Sequence, residues 1–149
     1  MPTTLTLELA DVACKVVRDI TAVKKGESLL ITVDSAGSWI VAEELAKIGE
    51  SLGAKVMVAW HSTPMGVGKV AEPYLPDSLK AAIPQTDVWL ELNTQWLGYS
   101  APFEKALVPP NRVRYLCLCG LDVERMVRFF GRLDLKTQDD FQNKVVEVT

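Results

Sequence analysis

The residues best suited to contact a small molecule lie in one short stretch that follows a predicted strand. Asn93, Thr94 and Gln95 supply hydrogen-bond donors and acceptors without charge. Trp96 and Tyr99 supply flat apolar area with a polar tip. These residue types suit the wall of a pocket for a small polar or aromatic ligand. The two aromatic side chains would equally suit packing over a sheet edge or at a subunit interface, and the sequence leaves both alternatives open.

His61 is the chain's one histidine, and it stands at the predicted carboxyl end of the second strand. That position suits a ligand, a base or a substrate contact, so His61 joins the predicted substrate-binding residues. A histidine in a loop is more often simply a surface residue. A site with two histidines and one carboxylate cannot be built from a chain with one histidine, and we predict no metal site within these residues.

Cys117 and Cys119 are one residue apart on a predicted strand, so their side chains would point to the same face. Without other cysteine or histidine partners they are interpreted as small core-facing hydrophobic residues rather than as ligands or a redox pair. Three cysteines is an odd number, and we expect all three to be reduced thiols. Reduced thiols are typical of the cytoplasm, which is the expected location.

The turn after the first predicted strand lies where a dinucleotide-binding loop would be expected. That fingerprint needs three glycines, and the turn has only Gly37. Asp34 would also place a negative charge where the phosphates would lie. We therefore interpret this turn as a helix cap and a connector.

Composition predicts one globular domain over residues 1–149. The formal net charge is −3, which does not suggest a nucleic-acid partner. No apolar stretch is long enough to span a membrane, and the N-terminus lacks the pattern of a signal peptide. We expect neither nucleic acid nor a membrane as a partner.

The elements that position these residues are alternating strands and helices. Residues 29–33, an amphipathic helix over 41–52, and residues 56–60 form a strand–helix–strand unit, which implies parallel strands. Two further apolar runs, 88–92 and 113–118, predict a third and a fourth strand. The predicted fold is an α/β, Rossmann-like three-layer sandwich with a parallel sheet of about four strands, whose second, third and fourth strands are buried. Ligands in such sheets bind at the carboxyl ends of the strands.

The C-terminal residues carry a helix start signal and no stop signal. Thr137 and Asp140 are spaced as in a capping box, and apolar residues follow at helical spacing. We interpret the chain as the N-terminal part of a longer, two-domain protein. A natural C-terminal helix that frays is the alternative.

Several short stretches occur together in an order and spacing that resemble one enzyme family, and they cover nearly the whole chain: Val16–Asp19, Lys25–Glu27, Leu52–Val56, Glu91–Thr94 with Tyr99–Ser100, and Arg128–Phe130. The chain resembles the N-terminal domain of the family shared by thermophilic metallo-aminopeptidases (aminopeptidase T type) and 2,5-dihydroxypyridine 5,6-dioxygenase.

The resemblance implies a Rossmann-like domain that forms one side of a substrate cleft. In that family a second, C-terminal domain supplies the metal ligands, and no position here matches them. We therefore expect no cofactor in this chain and Fe(II) or another divalent metal in a C-terminal domain. The expected partners are a small-molecule substrate, that metal domain and further copies of the chain. The chain alone should be inactive.

The resemblance does not decide between the two reactions. The uncharged, aromatic-rich stretch around Asn93 to Tyr99 favours a ring-cleaving dioxygenase acting on a dihydroxypyridine-type heteroaromatic, because a peptidase cleft would more plausibly carry a carboxylate for the free amine. An aminopeptidase domain and a stand-alone, non-catalytic interaction domain are the alternatives.

Overall fold

The computed structural model describes residues 4–148 and is an α/β, Rossmann-like fold. Its four strands form one parallel sheet: β1 (Ser28–Asp34), β2 (Lys55–His61), β3 (Val88–Glu91) and β4 (Arg114–Cys117). The predicted fold class and strand number are confirmed.

Helices cover both faces of this sheet. They are α1 (Thr4–Cys14), α2 (Trp39–Ser51), α3 (Asp77–Ala82), α4 (Ala101–Leu107), α5 (Val123–Phe130) and α6 (Leu135–Val148). A π-helical turn, Lys15–Ile20, follows α1, and short 3₁₀ turns occupy Gly68–Val70, Glu72–Tyr74 and Ile83–Gln85. No helix within residues 4–148 is long and apolar enough to cross a membrane.

The strand order is β2-β1-β3-β4, so the chain leaves β1 in one direction for β2 and returns on its other side as β3. The gap between the carboxyl ends of β1 and β3 is therefore the topological switch point, where doubly wound sheets bind ligands. The central strands β1 and β3 are buried almost throughout.

Side-chain alternation along the strands divides the core into two. On the first face, Leu29 and Ile31 of β1 pack with Val88 and Leu90 of β3 beneath α1, α2 and α5. On the second face, Leu30 and Trp89 pack beneath α3 and α4. Each strand thus contributes alternate residues to each core, as the period of two requires.

The prediction that the second and fourth strands are buried is wrong. Both lie at the edges of the sheet, where one neighbouring strand is missing, and all their residues except His61 are half-buried or exposed. Met57 and Trp60 of β2 are 49% and 61% exposed. Val56 and Val58 pack against the first core and Ala59 packs against the second, so β2 is partly covered on both faces although it is an edge strand.

Two helix boundaries also differ from the predicted ones. The apolar stripe over about residues 6–23 predicts one continuous helix. The chain is α-helical only to Cys14, and the π-helical turn that follows ends where Thr21 Oγ1 donates to the carbonyl of Val16. The last helix begins at Leu135, because Asp134 accepts hydrogen bonds from the Lys136 amide and the Thr137 hydroxyl. Thr137 is therefore a partner of the cap and not the cap itself.

Candidate functional site

Polar side chains gather on the second face of the sheet at its carboxyl edge. Asp34, His61 and Glu91 are the last residues of β1, β2 and β3. All three are at most 5% exposed, and Asn93, which lies two residues beyond β3, is fully buried. Buried polar groups need partners, so the hydrogen bonds among these residues define the site.

The Asp34 carboxylate holds the loop after β3 against the loop after β1. Its Oδ2 accepts hydrogen bonds from the Thr94 amide at 2.7 Å, the Thr94 hydroxyl at 2.8 Å and the Gln95 amide at 3.2 Å. Its Oδ1 accepts one from the Ala36 amide at 3.2 Å. The interpretation of the first turn as a connector rather than a phosphate loop agrees with this geometry, because a buried anion occupies the place that a phosphate would need.

Glu91 is buried, and both of its carboxylate oxygens accept hydrogen bonds. Its Oε1 accepts hydrogen bonds from the Leu97 amide at 2.8 Å and Asn93 Nδ2 at 3.0 Å, and its Oε2 accepts one from the Tyr115 hydroxyl at 2.5 Å. Burial raises the pKa of Glu91 above its ordinary value, and the three donors oppose that shift. Burial, followed by the charge of Glu91, raises the pKa of Tyr115, so the phenol stays a donor.

His61 is buried, which corrects the expectation of an exposed loop residue. Its Nδ1 lies 2.9 Å from the carbonyl oxygen of Ser62, and its Nε2 lies 2.9 Å from Oδ1 of Asn93. Because Asn93 also contacts Glu91, the side chains form a continuous chain from His61 through Asn93 to Glu91. The sequence identified His61 and Asn93 but not their connection.

Two proton placements satisfy every contact in this chain of side chains. With the amide oxygen of Asn93 facing His61, both ring nitrogens donate, so the imidazole is protonated and Glu91 is a carboxylate. With the amide turned over, its nitrogen donates to a neutral imidazole and its oxygen accepts from a protonated Glu91. The two placements therefore differ in the orientation of the Asn93 amide, which lies between His61 and Glu91.

Thr94 and Gln95 differ in what they leave free. The Thr94 hydroxyl is committed to Asp34. The backbone amide of Gln95 contacts the same carboxylate, while the Gln95 side chain is half-buried. Gln95 can therefore offer its amide to a ligand without breaking the loop.

Trp96 packs within the protein, against the edge strand β4, which is the alternative of packing over a sheet edge. Its Nε1 donates to the Tyr115 hydroxyl at 3.0 Å. Its ring lies so close to Gly98 that a Cβ there would be 2.0 Å from Trp96 Cζ2. Tyr99 contacts the Trp96 ring edge to face at 5.4 Å, yet it is 64% exposed. Tyr99 is thus the aromatic ring of this stretch that is open to a ligand.

Cys117, the last residue of β4, and Cys119, two residues beyond it, are not core residues, contrary to prediction. Cys117 is exposed and Cys119 is half-buried. The Cys119 thiol donates to the Cys117 sulfur and lowers the pKa of Cys117 below its ordinary value. The same bond, then burial and the nearby Glu91 carboxylate raise the pKa of Cys119. All three cysteines are free thiols, as expected.

A cavity of about 410 Å³ opens at the switch point of the sheet. It is bounded by the turn before α2, the loop after β3 and the start of α5, and its lining residues include Ser38, Leu92, Thr94, Gly120 and Arg125. Thr94 is the predicted site residue that reaches it. The other predicted residues, His61, Asn93, Gln95, Trp96 and Tyr99, are not among its lining residues.

Glu91 and Tyr115 are the site residues that sequence reasoning missed. Glu91 stands within an apolar run that was interpreted as a buried strand. A charged residue at a strand position that helices cover is the signal that could have identified it, since a buried charge requires dedicated partners.

Comparisons with known proteins give one solved structure of the same fold. The structure of a 2,5-dihydroxypyridine dioxygenase from Pseudomonas putida superimposes with a TM-score of 0.67 and 18% sequence identity. The match covers 87% of this chain and 38% of that one, so the chain spans well under half the length of its neighbour. No family model matches the chain, and no curated protein matches it.

The family resemblance implies a divalent metal that is bound by histidines and carboxylates. Residues 4–148 contain no group of histidines and carboxylates that matches such a ligand set. The one histidine has both ring nitrogens engaged, with Ser62 and Asn93. The described residues therefore do not fit the ligand set of such a metal.

Proposed function

We propose that this chain is the N-terminal domain of a metal-dependent, ring-cleaving dioxygenase and forms one wall of its substrate cleft. The substrate would be a dihydroxypyridine-type heteroaromatic. A C-terminal domain would supply the metal and its ligands, and the polar carboxyl edge of the sheet would face that domain.

The structural match is the observation that carries this proposal. Nearly all of this chain matches a part of a dihydroxypyridine dioxygenase, and the part amounts to 38% of that protein. A domain that corresponds to a minor part of a larger enzyme needs the remainder for a complete active site. The sharing of fold does not by itself transfer the reaction, so the chemistry of the edge must also fit.

The chemistry of the edge suits a planar, hydroxylated ring. Tyr99 offers an exposed aromatic ring, and Gln95, in the same loop after β3, offers a half-buried side-chain amide. An aromatic contact adds about 0.5–1.5 kcal/mol beyond the area it buries. Behind them, the buried contacts of Asn93 with His61 and Glu91 hold the loop in place.

Oxygen consumption with 2,5-dihydroxypyridine tests the proposal. The protein expressed from its complete reading frame and loaded with Fe(II) should consume oxygen with loss of the aromatic absorption of the substrate. Tyr99→Ala should raise KM about tenfold, which corresponds to about 1.4 kcal/mol. Metal content should not change, because this domain supplies no ligand to that metal.

Tyr74→Ala is the matched control, since Tyr74 is also an exposed tyrosine, at 51%, in a different segment. Its KM should equal that of the parent. Absence of oxygen consumption in the iron-loaded protein would overturn the dioxygenase assignment. Equal KM values for the two variants would show instead that the loop after β3 is scaffolding.

A further inference from the structure

Three side chains beside this site bring potential metal ligands together. A carboxylate oxygen of Glu91 and the sulfur atoms of Cys117 and Cys119 all lie within 4.8 Å of one another. Glu91 is fully buried, whereas Cys117 reaches the surface. Neither thiol has a role in the proposed function.

The register of the sheet explains why these donors converge. Glu91 pairs with Cys117 across β3 and β4, so the two side chains leave the sheet on the same side. The ladder continues past β4, because the Leu118 amide donates to the Glu91 carbonyl and the Gly120 amide donates to the Asn93 carbonyl. Cys119 is thereby held in a strand-like position on the same face as Cys117.

The Glu91 carboxylate is oriented before any ligand arrives. Oε1 accepts two hydrogen bonds, from the Leu97 amide and Asn93 Nδ2, whereas Oε2 accepts one from the Tyr115 hydroxyl. A carboxylate oxygen has two lone pairs, so Oε2 retains acceptor capacity toward the thiols. Outer partners of this kind fix a ligand's orientation in metal sites.

We propose that Glu91, Cys117 and Cys119 form a site for a thiophilic divalent cation, Zn²⁺ in particular, with a fourth coordination position open. Two thiolates and one carboxylate form a donor set of the sulfur and oxygen type that Zn²⁺ accepts. Mg²⁺ and Ca²⁺ prefer oxygen ligands alone and are not expected to bind.

The distances fit with small side-chain movements. Donor atoms around a tetrahedral Zn²⁺ ion are about 3.6–3.8 Å apart, given Zn–S and Zn–O bonds of about 2.3 and 2.1 Å. The present separations of up to 4.8 Å need to shorten by about 1 Å. Rotation about the side-chain bonds of the exposed Cys117 can supply that movement.

Binding must release the thiol protons, because the thiolate is the ligand. With both thiols deprotonated, the two sulfurs and the carboxylate would carry three negative charges against the two positive charges of the cation. Affinity should therefore rise with pH. The exposed side of Cys117 leaves room for water or a small anion at the fourth position.

Co²⁺ substitution gives a direct test on the purified protein. The protein is stripped with a chelator, reduced with a phosphine because dithiols bind zinc, and titrated with Co²⁺. A thiolate-to-cobalt charge-transfer band should saturate at one equivalent, and Zn²⁺ should abolish it. Zn²⁺ should also protect two of the three thiols from a thiol-specific reagent.

Three variants assign the ligands. Cys117→Ser and Cys119→Ser should each remove most of the charge-transfer band, and Glu91→Gln should weaken Zn²⁺ binding at least about tenfold. Cys14→Ser is the matched control, since Cys14 is a free thiol on α1, away from the sheet edge. It should bind both metals as the parent does.

Either of two results would rule out the proposed metal site. A parent protein without a charge-transfer band, or with a band that survives in both Cys117→Ser and Cys119→Ser, rules it out. Cys117 lies at the surface, so its serine variant is expected to fold, and circular dichroism checks this. If Glu91→Gln fails to fold, the two cysteine variants still decide the question.

Discussion

His61 is the last residue of β2 and Asn93 follows β3, and these two strands are not neighbours. Nevertheless, Nε2 of His61 lies 2.9 Å from Oδ1 of Asn93. β1 separates β2 from β3, so the two side chains meet across the end of β1. The contact is buried and extends to Glu91. It therefore links β2 to β3 at the carboxyl ends of the strands, where a ligand is expected.

Asn93→Ala should destabilise the fold by about 1–3 kcal/mol, because it leaves a buried ring nitrogen of His61 without its partner and removes one of the two hydrogen bonds to Oε1 of Glu91. Urea denaturation followed by circular dichroism measures the change. The nitrogen chemical shifts of the His61 ring, recorded for the parent, distinguish the two proton placements.

Asn111→Ala is the control for that measurement. Asn111 is an exposed asparagine whose side chain makes one hydrogen bond, to the Lys105 carbonyl. We expect a change within about 0.5 kcal/mol, as is usual at the surface. Equal losses for the two variants would contradict a special role for Asn93.

Asp34→Asn should cost about 3 kcal/mol or more of unfolding free energy. The Asp34 carboxylate accepts four hydrogen bonds from three residues, and an amide would turn a donor toward some of these donors. Thermal unfolding should show the loss, while Glu50→Gln, at an exposed carboxylate on α2, should not. A stable Asp34→Asn variant would show that the loop after β3 does not depend on this anion.

Hydrophobic pattern was sufficient to predict the strands and their parallel arrangement, since apolar runs alternate with amphipathic helices. It did not predict which strands lie at the edges, because strand order depends on contacts far apart in sequence. The interpretation of Cys117 and Cys119 failed for that reason. Alternation placed both on one face, but only the register with Glu91 shows that this face is polar at β4.

Aspartate substitutions at Val58 and Leu90 measure the difference between edge and centre. Leu90 is fully buried in β3, so Leu90→Asp buries an unpaired charge and should unfold the protein. Val58 is half-buried on the edge strand β2, where the carboxylate can turn toward water. We expect Val58→Asp to cost about 1–2 kcal/mol and to leave a cooperative transition. Equal destabilisation in urea melts would contradict the assignment of β2 to the edge.

The ion pair of Glu27 and Arg114 joins the start of β1 to β4 and predicts a pH-dependent contribution to stability. The Arg114 guanidinium binds both Glu27 oxygens, at 2.5 and 3.0 Å, and donates to the Thr21 carbonyl. Its hydrogen bond lowers the pKa of Glu27 below the ordinary value of 4.5.

A carboxylate with a lowered pKa stabilises the fold fully above its unfolded pKa and loses that contribution as the pH falls through its folded pKa. The Glu27 and Arg114 side chains are 20% and 41% exposed, so solvent screening limits the pair to about 0.5–1 kcal/mol. Glu27→Gln should therefore lower the free energy of unfolding by that amount at pH 7 and by progressively less below pH about 4.5. Urea melts of parent and variant from pH 7 to 3 measure the difference, and Glu43→Gln, at an exposed carboxylate on α2, is the control. A difference that stays constant with pH would show that Glu27 acts through its neutral contacts rather than through its charge.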